Sequence, residues 1–457
     1  MASPAPATIP EDLLAEIFIR LPTLAALARA AAACTTFRGL IKGQAFRRRF
    51  RSLHRPPLLG LMDAAGFDPA EAPHPSAPLA GSLAPCAEDF SFVPPVVSSA
   101  SYFSAASCSA SNIPAGFLPG DEELPRWRPR DARDGRVLLD WVSLNPRFVQ
   151  MWGNPEDGSD VSVLMDCNEL ADYDAGARAT WTKRERCNAA DFHLAIRDPL
   201  SRRYELLPTI PEDFAARPEE RLFEFVPMLA PATEDESLKV ICMAAYETKL
   251  ALFVFISTLT TRQWCMATFP ILIPRGGLSC FDCVRGCFYW THPWEWSDHL
   301  LALDTRTMRF SYVDLLTGYH LQLRDLPNQS TGRRRPSAVV VGREGAIEMF
   351  SLVGQNGSFV LYHTSLRNGS QEWNLERIIP LPGQYEDYSI STMGAADGFV
   401  FFRGAPEGVN NRKVDCYALE VKTYEITKLC SKKELLFNPK HALPYFSFPP
   451  LLSEPSN

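Results

Sequence analysis

Residues Asp397 to Ile426 read DGFVFFRGAPEGVNNRKVDCYALEVKTYEI. This stretch opens with an Asp-Gly pair, continues with an apolar run, and reaches a second apolar run after a polar interval. Short apolar runs bounded by Gly and Asp predict β-strands that are joined by hairpins. No helical segment separates the two runs, so the stretch predicts an antiparallel sheet and argues against an alternating α/β fold.

The same pattern recurs along the chain. Similar strand openings occur at Asp134–Leu139, Gly286–Trp290 and Gly345–Phe350. Similar hairpins occur at Leu194–Tyr204, Phe255–Trp264, Leu301–Phe310, Tyr362–Trp373 and Tyr417–Ile426. The hairpins end at intervals of roughly 55 residues, close to the ~50-residue period that is typical of kelch-like propeller blades.

The repeats predict an all-β propeller over residues 134–450, preceded by a small all-α head over residues 8–55. Six blades are favoured, within a range of five to seven, because five are visible and a sixth could form from Leu58–Met62, Phe90–Val93 and Leu443–Phe448. Closing the ring would remove exposed strand edges. Residues 56–133 are rich in Pro, Ala and Ser and are predicted to be a join that contributes strands to the closing blade.

Composition narrows the function classes. The chain has 457 residues, 46% hydrophobic and 22% charged, and a net charge of −7, so we expect a folded protein without bulk attraction to nucleic acid or anionic membranes. No uncharged apolar run reaches the ~18 residues of a membrane helix. The N-terminus lacks the pattern of a signal peptide, so we expect the twelve cysteines to be reduced in a cytoplasmic and/or nuclear protein.

The first 55 residues differ from the rest of the chain. They carry nine Lys/Arg and three Asp/Glu, whereas the remainder has a balance of −13. Thr8 to Glu11 can open a helix, and its apolar face would contain Leu13, Leu14, Ile17, Phe18 and Leu21. Pro22 would stop this helix, and three further short helices follow, with Gly43 after the third. So small a unit leaves apolar surface for docking, either to the rest of the chain or to a partner.

The run from Ile9 to Pro22, followed by Ala33–Arg38 and Leu40–Ile41, resembles an F-box. The similar features are a proline and an acidic residue at the opening, a Leu-Pro dipeptide after the first helix, and Cys followed by an aromatic-Arg pair. The resemblance covers roughly residues 8–50, with Ile9 in place of the usual Leu and Phe37 where Trp is common. The body is similar to the F-box-associated, kelch-like propellers of plant, especially grass, F-box proteins.

The resemblance implies the substrate-recognition subunit of an SCF-type cullin–RING ubiquitin ligase. The head would bind a Skp-type adaptor, and through it a cullin, while the propeller loops would bind an unidentified target protein for ubiquitination. The adaptor-facing surface would be formed or supported by Pro10, Leu13, Leu14, Ile17, Leu21, Pro22, Leu27, Cys34 and Phe37. Tethering would raise the effective concentration of the target. On this interpretation the chain is not an enzyme and uses no cofactor.

Other interpretations stay open at the level of sequence. The head could be a cap on the body, the propeller could be a lectin-like or small-ligand-binding module docked to the adaptor, or the propeller could be an enzyme with a non-functional helical cap. The basic cluster Arg47–Arg51 could be an import signal, but a solvated helix face with Phe46 and Phe50 turned inward is favoured.

One aromatic segment is a candidate for target recognition. It follows a predicted strand and is predicted to be a loop that contains Trp290, His292, Trp294, Trp296 and Asp298. Rigid aromatic side chains are typical of recognition hot spots, although packing of a blade edge explains them equally well. Nearby, Cys280-x-x-Cys283 with Cys287 has metal-like spacing, but a buried structural role is favoured and no metal site is predicted. No Gly-rich phosphate loop, His-Glu-x-x-His or Gly-x-Ser-x-Gly occurs, so no catalytic residue is proposed.

Overall fold

The computed structural model covers the helical head, most of the β body and a C-terminal strand. The described residues are 9–21, 24–63, 66–83, 127–142, 148–154, 159–166, 189–199, 203–214, 222–231, 238–246, 248–258, 261–270, 279–280, 283–284, 286–291, 299–324, 337–343, 346–355, 358–367, 369–381, 388–406, 413–433 and 442–448. These residues form a mostly β chain with helices near the N-terminus and several small antiparallel sheets.

Four short helices form the head. They are α1 (Glu11–Ile19), α2 (Leu24–Ala33), α3 (Thr35–Lys42) and α4 (Gln44–Leu53). Gly43 ends α3 as the sequence predicted, because its backbone N–H bonds to Leu40 O and its ψ of 137° leaves the helical range. The first helix ends earlier than predicted, at Ile19, and Pro22 lies outside the described residues. Two further helices are α5 (Ala77–Leu83) and α6 (Gly318–Arg324).

The strands make up the rest of the described chain. They are β1 (Leu58–Asp63), β2 (Gly66–Pro69), β3 (Arg128–Arg133), β4 (Arg136–Val142), β5 (Phe148–Asn154), β6 (Ser159–Asp166), β7 (Phe192–Asp198), β8 (Arg203–Leu206), β9 (Leu222–Leu229), β10 (Leu238–Tyr246), β11 (Leu250–Ser257), β12 (Arg262–Phe269), β13 (Ser279–Cys280), β14 (Cys287–Thr291), β15 (His299–Asp304), β16 (Arg309–Asp314), β17 (Ser337–Arg343), β18 (Ala346–Gln355), β19 (Ser358–Arg367), β20 (Asn374–Pro380), β21 (Tyr388–Ala396), β22 (Phe399–Pro406), β23 (Lys413–Glu420), β24 (Ile426–Lys433) and β25 (Leu443–Phe446). No helix of the described residues is both long enough and apolar enough to span a bilayer.

Five four-stranded antiparallel sheets repeat one design. Sheet I has the strand order β3-β4-β7-β8, sheet II β9 to β12, sheet III β13 to β16, sheet IV β17 to β20, and sheet V β21 to β24. Sheets II to V are simple meanders, whereas the hairpin β5-β6 is inserted between the second and third strands of sheet I. Each hairpin that was predicted from the repeats joins the third and fourth strands of one sheet, so these predictions are confirmed.

The predicted Asp-Gly openings are tight turns. Asp134 and Gly135 have φ values of 54° and 75°, and Asp397 and Gly398 have values of 48° and 80°. Both pairs are flanked by paired residues of neighbouring strands, with Arg133 opposite Arg136 in the first case. Two consecutive positive φ values define a type I′ turn, whose twist matches that of the flanking strands, and Asp-Gly suits it.

A three-stranded terminal sheet combines both ends of the β body. Its order is β2-β1-β25, and Leu61 of β1 lies opposite Pro444 of β25. The sequence predicted that Leu58–Met62 and the C-terminal segment would share a sheet, and this part of the prediction is confirmed. The third predicted contributor, Phe90–Val93, lies outside the described residues.

Buried apolar clusters connect consecutive sheets. One cluster joins sheets I and II, and another joins sheets II and III. A larger cluster runs through sheets III, IV and V, a fourth joins sheet V to the terminal sheet, and a fifth joins the terminal sheet to sheet I. The core is therefore distributed between the sheets, and each of the six sheets contributes apolar side chains to both of its neighbours.

Candidate docking surface and polar clusters

Helix α1 has two different apolar faces. Phe18 and Ile19 are buried in the head, and Phe18 packs edge-to-face on Phe37 of α3 with ring centroids 5.0 Å apart. Leu13 and Ile17 are 55% and 50% exposed, and Ile9, which precedes the N-cap Pro10, is 55% exposed. Residues four apart lie above one another on a helix, so Leu13 and Ile17 share the outer face of α1. Together with Ile9 they are called the α1 stripe below.

The structure divides the predicted adaptor-facing residues into groups. The exposed residues are Pro10, Leu13, Ile17 and Cys34, the half-buried residues are Leu14, Leu21 and Phe37, and Leu27 is buried. Leu27 belongs to the core of the head, so it can support a docking surface from beneath and cannot form part of one. Pro22 lies outside the described residues. Adaptor binding by the exposed group stays a prediction.

Cys34 also has a local structural role that the sequence interpretation missed. It is the N-cap of α3, with an extended backbone, and its Sγ accepts a hydrogen bond from the backbone N–H of Phe37 at 3.5 Å. Helix N-termini have backbone donors without intrahelical partners, and a capping side chain satisfies one of them. Sulfur caps are weaker than the usual oxygen caps, so the three-residue spacing of Cys34 and Phe37 gave little signal for one.

Helix α4 connects the head to the β body. Phe50 packs edge-to-face on Phe448, which follows β25, with centroids 5.9 Å apart, and it stacks on His54 at 4.1 Å. Arg55 Nη1 then donates to the carbonyl oxygen of Asp397, at the type I′ turn of sheet V. The buried positions of Phe46 and Phe50 confirm that these aromatics point inward, but Arg47 is buried beside them, so the prediction that the basic cluster is a solvated face is wrong for Arg47. These contacts hold the head against the body and leave the α1 stripe exposed.

The aromatic segment predicted to recognise a target is only partly described. Trp290 lies in β14, and its side chain is 1% exposed among Phe288, Phe310 and other residues of the cluster between sheets II and III. The prediction that Trp290 belongs to a recognition loop is wrong, because the strand continues through it and alternation turns its indole into the core. His292, Trp294, Trp296 and Asp298 lie outside the described residues.

A buried polar cluster between sheets IV and V was not found from sequence. His363 Nε2 lies 3.1 Å from Glu348 Oε2, and His363 Nδ1 lies 3.1 Å from the hydroxyl of Tyr424. Phe350 stacks on the imidazole at 4.4 Å, and the Arg377 guanidinium lies 4.7 Å from the Tyr424 ring centroid. In the neutral tautomer of His363 whose Nε2–H donates to Glu348, Nδ1 accepts from the Tyr424 hydroxyl.

This chain of a carboxylate, an imidazole and a phenol fixes the orientation of the His363 ring between sheets IV and V. Its members come from β18, β19 and the β23-β24 turn, and they approach one another only after the sheets pair. The sequence therefore carried no spacing signal for it.

The metal-like spacing found in the sequence falls in sheet III, where Cys280 lies in β13, Cys287 in β14 and Cys283 between them. Among the described residues, no group of three or more His, Cys, Asp or Glu side chains could hold a metal ion. Cys280 pairs with Trp290 across β13 and β14, while Cys283 and Cys287 are half-buried thiols.

Comparisons with known proteins give structural likeness only. No family model matches the chain, and no curated protein matches it. A mutant of the NanB sialidase from Streptococcus pneumoniae is 9% identical with a TM-score of 0.31, and the match covers 73% of this chain and 66% of that one. A Bombyx mori GH32 beta-fructofuranosidase is 11% identical with a TM-score of 0.30, and the match covers 66% of this chain and 61% of that one. The chain spans less than two thirds of the length of these two proteins.

A third similar structure is an exo-1,5-alpha-L-arabinanase from a bovine ruminal metagenomic library. It is 9% identical with a TM-score of 0.27, and the match covers 68% of this chain and 94% of that one. A PL25 ulvan lyase is also similar. The expectation that the chain is not an enzyme is therefore corrected, because the similar structures include glycosidases and a lyase. At these TM-scores the likeness assigns no reaction or substrate to this chain.

Proposed function

We propose that this chain is the substrate-recognition subunit of an SCF-type ubiquitin ligase. The α1–α4 head would bind a Skp-type adaptor through the exposed stripe of Ile9, Leu13 and Ile17, and the β body would bind the target protein. The observation that carries the proposal is the exposure of this stripe on a head whose opposite face is packed and whose last helix is fixed to the body. The resemblance of residues 8–50 to an F-box is the reason for proposing a Skp-type adaptor as the partner that covers the stripe.

We infer that the six sheets of the body form a closed six-bladed propeller. Two observations support this architecture: each sheet shares an apolar cluster with the next, and β1 pairs with β25. A closed ring would place the loops of all six blades on two rigid rims. Binding loops on rigid scaffolds are common, so we expect the target to contact one rim.

The test is adaptor binding by full-length variants that keep the head folded. Leu14 and Leu21 pack in the head, so charges there would disturb folding, whereas Leu13 and Ile17 are exposed. Leu13→Asp or Ile17→Asp should lower the affinity for a purified Skp-type adaptor by roughly 100-fold, as expected for the centre of an interface.

Leu321→Asp is the matched control, because Leu321 is a 44% exposed leucine on α6. Calorimetric titration should give wild-type affinity for this control. Wild-type affinity of Leu13→Asp and Ile17→Asp, or no binding by the wild-type chain, would overturn the proposal. Target capture should survive the two head substitutions, because the body is unaltered.

A further inference from the structure

The exposed face of α1 continues onto α4. Glu16, which precedes Ile17, forms an ion pair with Arg49 of α4 and a longer one, at 3.9 Å, with Arg20 of its own helix. Glu16 and Arg20 are separated by one helical turn and lie on the same side of α1 as Leu13. The ion pair therefore joins the side of α1 that carries Leu13 to Arg49 of α4.

Helix α4 adds another large exposed aliphatic side chain. Phe46, Arg47 and Phe50 are buried, and Leu53 is the last residue of the helix, three residues after Phe50. Leu53 is nevertheless 61% exposed, and Arg49, one turn before it, is also exposed. Leu53 is thus at least as exposed as Leu13. Exposed aliphatic side chains grouped on one surface are typical of a protein interface.

The charge of this surface indicates what would cover it. The described head residues carry nine Lys/Arg against the three acids Glu11, Asp12 and Glu16. Glu11 and Asp12 lie in the first turn of α1, and the single carboxylate of Glu16 is shared by two guanidinium groups. The surface around Arg20 and Arg49 is therefore positive, and carboxylates on a partner would complement it.

We propose that the docking surface extends from α1 onto α4, where Leu53 contacts an apolar part of the adaptor and Arg49, with Arg20, contacts acidic residues at its rim. This inference rests on the proposed function and identifies the chemistry of the adaptor surface that meets α4. The adaptor carboxylates compete with Glu16 for the same guanidinium groups. Binding at this site exchanges an intramolecular ion pair for an intermolecular one.

The first measurement is the affinity of full-length Leu53→Ser and Arg49→Gln for the purified adaptor. Each substitution should weaken binding by about 10-fold, since a contact at the edge of an interface contributes less than one at its centre. Arg29→Gln, an exposed arginine on α2, and Leu321→Ser are the matched controls and should bind like the wild-type chain. Circular dichroism and thermal melting establish that each variant is folded.

The second measurement concerns a substitution that should strengthen adaptor binding. Glu16→Gln frees Arg20 and Arg49 for the partner, so it should tighten adaptor binding by about 3-fold at low salt, although the head loses two internal ion pairs. Raising the salt concentration should weaken wild-type binding, and the dependence should be shallower for Arg49→Gln. A role confined to stabilising the head predicts unchanged or weaker binding by Glu16→Gln, together with a lower melting temperature.

The two proposals fail in different ways. If Leu13→Asp abolishes binding while Leu53→Ser and Arg49→Gln bind like the wild-type chain, the extension onto α4 is wrong and the adaptor assignment stands. Unchanged or weaker binding by Glu16→Gln also overturns the acidic-rim assignment. If the wild-type chain does not bind the adaptor, the proposed function is wrong.

Discussion

Trp264 of β12 and Trp373, which directly precedes β20, make the same kind of hydrogen bond to the preceding sheet. Trp264 Nε1 donates to the carbonyl oxygen of Pro208, shortly after β8, at 2.9 Å. Trp373 Nε1 donates to the carbonyl oxygen of Asp314, at the end of β16, also at 2.9 Å. Strands β8 and β16 are the outermost strands of sheets I and III. The two tryptophans are therefore a repeated contact that fixes one sheet to the outer edge of its predecessor.

Replacing Trp373 with Phe should cost more than the loss of indole volume. The substitution removes the N–H and leaves the Asp314 carbonyl without this donor. Trp290→Phe is the matched control, because Trp290 is also 1% exposed and its Nε1 has no hydrogen-bond partner among the described residues. We expect Trp373→Phe to lower the free energy of unfolding by about 1–2 kcal/mol more than Trp290→Phe in urea titrations. Equal losses would mean that the hydrogen bond contributes nothing beyond packing.

Gly318 tests how closely α6 approaches the turn that precedes β20. Its φ is 55°, and a Cβ atom would lie 2.2 Å from the carbonyl oxygen of Trp373. Gly369 has a φ of 78°, but nothing lies within 4 Å of its Cβ position. Gly369→Ala should therefore cost only the left-handed backbone penalty of about 1–2 kcal/mol. Gly318→Ala should cost at least ~2 kcal/mol more, because backbone atoms must move.

Thermal melting of the two alanine variants measures this difference. Similar melting temperatures would show that α6 yields to the added methyl group, and the close contact between Gly318 and Trp373 would not constrain the fold.

His320 should make the stability of sheet IV depend on pH. Burial lowers the pKa of His320 from an ordinary value of 6.5 to about 4. Between these values the unfolded chain binds a proton that the folded chain excludes, so stability falls as the pH falls through this range, by about 3 kcal/mol in total. Above pH 6.5 both states are neutral, and the residue contributes no dependence.

The measurement compares the free energy of unfolding at pH 7 and pH 5 in the wild-type chain and in His320→Gln. The variant should lose less stability on acidification than the wild-type chain, because it lacks the buried imidazole. Parallel pH profiles for the wild-type chain and His320→Gln would contradict the prediction.

The sequence was most informative where local chemistry decides the structure. Asp397 and Gly398 predict a type I′ turn because few other residues tolerate two positive φ values, and the flanking alternation sets the strands. The sequence was less informative where the burial of a side chain depends on how other helices and strands pack against it. Leu13 and Leu14 are identical residues of one helix, yet one is exposed and the other half-buried, because α3 and α4 cover only one side. The assignment of Trp290 to a loop was wrong for a related reason. Strand β14 continues through Trp290 to Thr291, and only its packing between two sheets buries the indole.

Lys432 provides a test of the contact between sheet V and the terminal sheet. Its Nζ lies 2.5 Å from Asp63 Oδ2 of β1, and it also forms an ion pair with Asp68 of β2. Burial alone would lower the pKa of Lys432, but the two carboxylates outweigh it and hold the pKa above its usual value. A charged lysine is therefore the expected state at neutral pH, and it links the first two strands of the body to β24.

Lys432→Met should lower the free energy of unfolding by about 3–5 kcal/mol, because it leaves two carboxylates without their buried cation. Lys428→Met is the matched control on the same strand. Lys428 pairs with Asp415 at 2.8 Å, but its side chain is 34% exposed, so the loss should stay below about 1 kcal/mol. Adding Asp63→Asn to Lys432→Met should restore part of the stability, since one uncompensated charge is removed. Equal losses in the two lysine variants, or no recovery in the double variant, would mean that this ion cluster does not hold the terminal sheet to sheet V.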